Sequence, residues 1–288
     1  MSAASDWVML TKARIQLFAT PAAVVCAWIA AGGELRLLTA LHLVIGLTLV
    51  SSAAAAVNQA LEIRIDAMME RTRRRPLPSG RISLRTAAIF GVAAFTGGVA
   101  WLLIFINPLC AWLAIVMFSS YCFIYTPLKR LTPLNTIVGA FPGALPLLVG
   151  YAAAGRGLDL EAGVLFMILF LWQLPHFFSI AWIYREDYAR GGLQMLSNVD
   201  ATGQVSGRQA IHWAIALVPA SLLPSIFGIA GRLYFYAAFS LSLIFLITVL
   251  GFGLRRNDRR ARVVLWTSLV YLPLLFTFLV LDRNLQSP

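Results

Sequence analysis

Nine long apolar runs, separated by short polar segments, leave this chain little choice of architecture. They fall at 16–33, 39–61, 86–106, 108–125, 134–153, 161–183, 209–229, 233–253 and 263–281. A helix rises about 1.5 Å per residue, so each run reaches, or nearly reaches, across roughly 30 Å of hydrocarbon. Lipid offers no partner to a free N–H or C=O, so segments that cross it must satisfy their own backbone. The predicted fold is therefore all-α: a polytopic membrane protein of about nine transmembrane helices in one bundle, forming one domain over residues 1–288. Composition agrees, because only 12% of residues are charged, about half the share a soluble domain uses to cover its surface. The junction Asn107-Pro108 is tight enough to predict a helical hairpin, and Pro142, Pro146, Pro175, Pro219 and Pro224 are expected to kink the helices that contain them. Cys26, Cys110 and Cys122 lie inside apolar runs without ligand or disulfide spacing and read as core residues. The first twenty residues show no clear cleavage site of a secretory signal.

The net charge of +11 raises nucleic-acid binding, but the distribution of charge answers it. If the N-terminus and the loops after helices 2, 4, 6 and 8 share one side, the opposite side keeps only Arg36, Arg156, Arg232 and Arg283 of the 23 Lys and Arg residues. Such asymmetry places the N-terminus in the cytoplasm and the C-terminus outside, with the basic pI explained by membrane orientation and no nucleic-acid partner needed. Arg255, Arg256, Arg259, Arg260 and Arg262 fit the same account, close to anionic lipid headgroups. Acidic residues follow no orientation rule. Glu62, Asp66 and Glu70, and then Glu186 and Asp187, mark the loops after helices 2 and 6 as the place to look for chemistry.

Four stretches stand out there. Asn58, Glu62 and Asp66 are spaced four apart and form one polar stripe on a helix. Two carboxylates and an amide oxygen are hard ligands of the kind Mg²⁺ takes together with substrate phosphates; a solvated helix end is the alternative. Arg71-Thr-Arg-Arg-Arg75-Pro-Leu-Pro-Ser-Gly-Arg81 follows, and arginine forks grip phosphate bidentately. Tyr125-Thr-Pro-Leu-Lys129-Arg130 offers a cation to a departing pyrophosphate, although Tyr and Lys at a helix end are also common interface anchors. Finally, Trp172-Gln-Leu-Pro-His176 sits within an apolar span and leads to Glu186, Asp187 and Tyr188. Those carboxylates suit a second Mg²⁺ opposite the first, as in two-metal phosphate clamps.

With these stretches in place the chain resembles the intramembrane prenyltransferase superfamily and, within it, the haem O synthase (protohaem IX farnesyltransferase) group. The likeness runs from Lys12 and Arg14 to the ninth helix. Asn58 to Asp66 and the following Met68-Met-Glu-Arg71-Thr-Arg-Arg-Arg75-Pro-Leu resemble the superfamily's first aspartate-rich loop. The stretch from Tyr125 through Asn135 to Gly139, Gly143 and Pro146, and that from Phe170 to Phe177 with Asp187 and Tyr188, resemble the subfamily signature. Glu62 stands where many members have Asp, and Ser197 replaces a usual proline, which puts the shape of that loop in doubt. The resemblance implies farnesyl transfer from farnesyl diphosphate to a vinyl group of haem b, with Mg²⁺ as cofactor, in an inner (plasma) membrane. The candidate catalytic set is Asn58, Glu62, Asp66, Lys129 and Asp187, with Asn58, Glu62, Asp66 and Asp187 as metal ligands. Arg71, Arg75, Tyr125, Arg130, Trp172, His176 and Tyr188 are the candidate substrate-binding residues. The lipid bilayer is the surrounding partner, and a haem A synthase or an oxidase assembly factor would receive the product. Prenylation of a quinone or phenolic precursor, or transport, are the rival functions. His176 reads either as a satisfied core group or as a haem contact, since imidazole is a common axial ligand. If its helix continues to Asp187, the two share a face, with His176 about 16 Å deeper.

Overall fold

The protein is described by a computed structural model, covering residues 2–200 and 202–286. A short helix, α1 (Ala3–Leu10), precedes the first span, in a stretch to which the sequence assigns no apolar run. It is fastened at both faces: Arg81 Nε donates to both Asp6 carboxylate oxygens at 3.0 Å, and Trp7 meets Phe90 edge-on at 5.1 Å. The chain continues as α2 (Ala13–Ala30), α3 (Leu37–Leu61), the short α4 (Ile63–Met68), a turn-rich segment, and α5 (Leu84–Phe105). Next comes α6 (Pro108–Ser119), which runs through a π-helical segment, Ser120–Tyr125, into α7 (Thr126–Leu128). The remaining elements are α8 (Asn135–Ala153), α9 (Leu160–Ile183), α10 (Arg185–Arg190), α11 (Leu196–Val199), α12 (Gln204–Ile226), α13 (Arg232–Leu254) and α14 (Asp258–Gln286). Among the described residues nine helical segments are long and apolar enough to cross a membrane, and no described residue is in a strand. This is a multi-pass membrane protein.

Local sequence explains where the spans start. Asn107 Oδ1 accepts from the Cys110 N–H, and Pro108 occupies the first turn, where its missing donor costs nothing. The Asn107 side chain also donates to the Ala152 carbonyl at 2.7 Å, pinning the predicted hairpin to α8. Ser83 and Asp159 cap α5 and α9 in the same way. The last helix begins at Asp258, five residues before its apolar run, because Asn257 caps it at the Arg260 N–H. Apolarity marks membrane depth, not helix ends, so Arg259, Arg260 and Arg262 lie in helix and not in a loop.

Glycines let the helices approach closely, which matters where lipid gives no hydrophobic drive between them. A Cβ on Gly150 would overlap the Ala23 carbonyl, so α8 lies backbone to backbone on α2. Gly207 and Gly253 do the same for α12 and α13. Two large apolar clusters and two small ones result. Ala53, Ala94 and Cys110 belong to one large cluster, and Phe178, Tyr234 and Tyr271 to the other. Because α8 contributes Leu145 and Val149 to the first and Ala140 and Leu147 to the second, it is the shared wall of the bundle. Cys26, Cys110 and Cys122 are buried free thiols, as a core role requires.

Candidate active site

At the end of the bundle that carries most of the basic residues, the ends of α3, α4, the π segment, α10 and the turn-rich segment surround a cavity of about 240 Å³. Asn58, Glu62 and Asp66 all line it, so the stripe read from the sequence survives the break between α3 and α4 at Glu62. All three are buried. Their partners form a chain of charge. Asn58 Nδ2 donates to Glu62 Oε2 at 2.9 Å and to Thr126 Oγ1 at 3.1 Å. Lys129 Nζ donates to both Glu62 oxygens, at 2.9 and 3.0 Å. Arg75 donates to Asp66 Oδ2 at 2.7 Å.

Lys12 and Tyr121 complete the cavity, and sequence reasoning missed both as site residues. Lys12 Nζ donates to Asn58 Oδ1 at 2.9 Å and to the Tyr121 hydroxyl at 3.1 Å. It reaches there from a left-handed backbone, φ 50°, at the start of α2. Burial pushes this ammonium down to about 7; Arg75 and Lys129 push the same way, while Glu62 and Asp66 oppose them. Lys129 goes the other way: burial disfavours its charge, but Tyr125 and Glu62 hold it above the ordinary ammonium range. The cavity is thus crowded with positive charge that its own acids only partly compensate, a setting that favours a polyanion.

The π segment aims two tyrosines at this space. Pro127 has no N–H to give to the Phe123 carbonyl, and the turn before it widens. Both Tyr121 and Tyr125 then line the cavity, and Lys129 Nζ lies 4.7 Å from the Tyr125 ring centre. Gly139 makes room for that ring, because a Cβ there would overlap it. Across the cavity the Arg71 guanidinium lies over Tyr184 at 4.9 Å and Tyr188 at 5.8 Å.

Other expected residues lie elsewhere. Helix α9 stops at Ile183, so the one continuous helix on which His176 and Asp187 would have shared a face does not form. Asp187 belongs to α10 and does not line the cavity. Its carboxylate accepts the backbone N–H groups of Glu70 at 3.0 Å and Arg71 at 3.1 Å, fastening the arginine loop to α10. Arg130 is exposed and away from the cavity wall. Trp172 and His176 lie against α14: Trp172 Nε1 donates to the Ser268 carbonyl at 3.0 Å, and His176 Nδ1 is 2.7 Å from Ser268 Oγ. Ser197, the departure from the family pattern, donates to the Ala181 carbonyl at 2.9 Å and so ties its loop to α9 without proline.

No group of three His, Cys, Asp or Glu side chains able to hold a metal occurs among the described residues. The smaller donor set nevertheless fits Mg²⁺ that shares its shell with phosphate oxygens and water. Asp66 Oδ1 is sealed from solvent without any hydrogen-bond partner, an arrangement that costs about 1–3 kcal/mol unless something is bound there. Buried carboxylates, an amide and basic side chains around a cavity at one end of a membrane bundle suit an intramembrane enzyme that handles a diphosphate. Residues 19–278 match the UbiA prenyltransferase family, and the chain belongs to it.

Its relatives narrow this. The chain is 45% identical to the protoheme IX farnesyltransferase of Solibacter usitatus, over 96% of this chain and 98% of that one. It is 40% identical to that of Salinibacter ruber, again over 96% and 98%. The fold is shared with a digeranylgeranylglyceryl phosphate synthase at 19% identity and TM-score 0.81, covering 98% of this chain and 99% of that one. It is also shared with a UbiA homologue from Archaeoglobus fulgidus bound to DMAPP and Mg²⁺, at 15% identity and TM-score 0.70, over 95% and 99%.

Proposed function

We propose that this chain transfers the farnesyl group of farnesyl diphosphate to a vinyl group of protohaem IX, giving haem O. The observation that carries the prenyl half is the cavity in which Lys12, Arg71, Arg75 and Lys129 converge on Glu62 and Asp66. The haem half is supported by near full-length similarity to protoheme IX farnesyltransferases. Lys12, Arg75 and Lys129 bind the diphosphate, and Arg71 closes over it from the tyrosine side. Glu62 and Asp66, with Asn58, would hold Mg²⁺, which supplies further neutralisation of negative charge on the leaving diphosphate. As the allylic C–O bond breaks, its electron pair leaves with the diphosphate, and the fixed cations stabilise that growing charge without reorganising. The vinyl group captures the allylic carbon, and water adds to the cation left on the side chain, losing a proton to give the hydroxyl. The buried apolar cluster inward of Asn58 on α3, with Val50, Ala53 and Ala54, would keep water from capturing the farnesyl cation first.

The reading places the enzyme in the inner (plasma) membrane, with the N-terminus and the cavity on the cytoplasmic side and the product passing to haem A synthase or oxidase assembly. The test is product mass after incubating purified protein with farnesyl diphosphate, Mg²⁺ and ferrous protohaem, with hydroxybenzoate as the rival acceptor. Haem O is the expected product, and Asp66→Ala should lower turnover by about 100-fold or more, the scale of lost transition-state charge stabilisation. Prenylated phenol without haem O would overturn the acceptor assignment. Near-normal turnover by Asp66→Ala at limiting Mg²⁺ would overturn the site.

A further inference from the structure

Lys12 is the only non-glycine residue with a left-handed backbone among the described residues, at φ 50° and ψ 39°. It follows Thr11, the cap that ends α1. A left-handed residue just past a helix end is usually glycine, because a Cβ there crowds the following carbonyl. Here the position carries a long cation, and its Nζ is the atom that reaches Asn58 and Tyr121 in the cavity. The ammonium accounts for the choice of residue. Something else must hold the backbone that aims it.

Two glutamines do so, because the three carbonyls before Lys12 all accept from side-chain amides. Gln59 Nε2, on α3, donates to the Leu10 carbonyl at 2.7 Å and to the Met9 carbonyl at 3.2 Å. Gln16 Nε2, in the first turn of α2, donates to the Thr11 carbonyl at 2.8 Å and to Ser52 Oγ of α3 at 3.0 Å. Both take up carbonyls that a helix end leaves open. Gln59 is wholly buried, and its Oε1 is sealed without a partner. Turning the amide over would set that oxygen against two carbonyls, so the donors fix its orientation. An apolar side chain would fill the same space without leaving an unpaired oxygen. Gln59 is therefore there for its N–H groups. Asn58 receives the Lys12 ammonium and the next residue holds the backbone behind it, so consecutive residues of α3 grip both ends of Lys12.

We infer that Gln59, assisted by Gln16, is a positioning residue for diphosphate binding: it holds the turn over residues 9–11 so that Lys12 points into the cavity. The inference rests on the diphosphate site proposed above, and it extends that site to two residues that line none of the cavity. Without the clamp Lys12 can relax to a right-handed backbone, the easier one for a lysine, and its side chain changes direction. The contacts of Asp6 with Arg81 and of Trp7 with Phe90 keep α1 on the bundle meanwhile. The effect then falls on one side chain and not on the fold.

The experiment is a double-mutant cycle between Gln59→Met and Lys12→Gly, in the full chain in lipid nanodiscs. The probe is inorganic pyrophosphate with Mg²⁺, followed by calorimetry, with the melting temperature measured alongside. Lys12→Gly should weaken pyrophosphate binding about tenfold or more, the scale of a lost hydrogen bond to a charged group. It should not lower the melting temperature, since glycine suits the turn. Gln59→Met keeps the side-chain volume but loses both donors, and should weaken binding about tenfold while Lys12 is present. With Lys12→Gly in place it should change affinity by less than about twofold, because effects that act through one group do not add. Gln16→Met, at a half-buried position, should repeat the pattern at about threefold, and it carries the cycle if Gln59→Met does not fold. An equal loss of affinity from either glutamine with and without Lys12 overturns the inference. So does a folded Gln59→Met with wild-type affinity; pyrophosphate binding by the wild-type chain would then leave the proposed site standing. Wild-type affinity in Lys12→Gly removes Lys12 from the site and this inference with it. A wild-type chain that binds no pyrophosphate overturns the site and the inference together.

Discussion

Asp187→Asn separates a carboxylate that fastens a loop from one that holds a metal. Both Asp187 oxygens accept backbone N–H groups, from Glu70 and Arg71, and the residue is only 8% exposed. A hydrogen bond to a charged group contributes roughly 1.5–3 kcal/mol. Asparagine matches the shape but keeps one acceptor, and turns an NH₂ toward the other N–H. The loss of one bond, about 2 kcal/mol, lets the loop open about 30 times more often, at 1.4 kcal/mol per factor of ten. Hydrogen exchange at the Glu70 and Arg71 amides should accelerate by that factor. Arg71 then spends less time over Tyr184 and Tyr188, so the KM for farnesyl diphosphate should rise while the Mg²⁺ concentration for half-maximal rate stays put. Unchanged exchange together with a tenfold or larger shift in Mg²⁺ dependence would refute the reasoning and return Asp187 to the metal.

Orientation and acid sensitivity are independent of that test. Ser79→Cys should be labelled by impermeant maleimide only from the cytoplasmic side and Gly157→Cys only from the other, against a low background from three buried native cysteines; the reverse pattern would sink the cytoplasmic placement of the cavity. Asp200 is held below the usual carboxylate range: partial burial works against this, but the Ser206 and Val205 N–H groups and the Thr202 hydroxyl outweigh it. A depressed folded pKa stabilises above the unfolded value of about 3.9 and is lost as pH falls through the folded one. Asp200→Asn should therefore lower thermal stability at pH 6, and the gap to wild type should close as pH falls below the usual carboxylate range. A gap that stays constant over this range would mean that Asp200 contributes no titrating stability.

Legibility in the sequence followed the range of the interactions. Asn58, Glu62 and Asp66 were readable because helical spacing alone puts them on one face, and the short break at Glu62 does not rotate them apart. Arg75 was readable because its partner Asp66 is nine residues away. Lys12 and Tyr121 were not, since they join at Asn58 from 46 and 63 residues' distance; locally Lys12 is only a cation before an apolar run, and Tyr121 lies inside another. Arg130 shows a different limit: neighbours on a helical turn point about 100° apart, so when Lys129 faces the cavity Arg130 must face away. The end of α9 at Ile183 carries neither Gly nor Pro to announce it, and that turn takes Asp187 out of the cavity and onto the arginine loop.

Asp66 has two oxygens with separate tasks, and this decides how substitutions there must be interpreted. Oδ2 holds Arg75 in the cavity, and Oδ1 is the sealed atom without a partner. Asp66→Ala removes both, so a dead enzyme could mean lost metal or a displaced arginine. Asp66→Asn can keep its amide oxygen on Arg75 and present an NH₂ where Oδ1 stood, which leaves the arginine contact but no cation ligand. If Oδ1 is the metal contact, Asp66→Asn should approach Asp66→Ala in turnover, with binding of farnesyl diphosphate weakened far less. Glu62→Asp, shortened by one carbon but still anionic, should keep substantial activity. Arg75→Lys tests the other oxygen: a lysine keeps the charge but not the fork, so it should raise KM for farnesyl diphosphate with the Mg²⁺ response little changed. Combined with Asp66→Asn its effect should fall short of the sum, because contacts made through one carboxylate are coupled. Full activity of Asp66→Asn would place the cation elsewhere and leave Asp66 as the anchor of Arg75 alone.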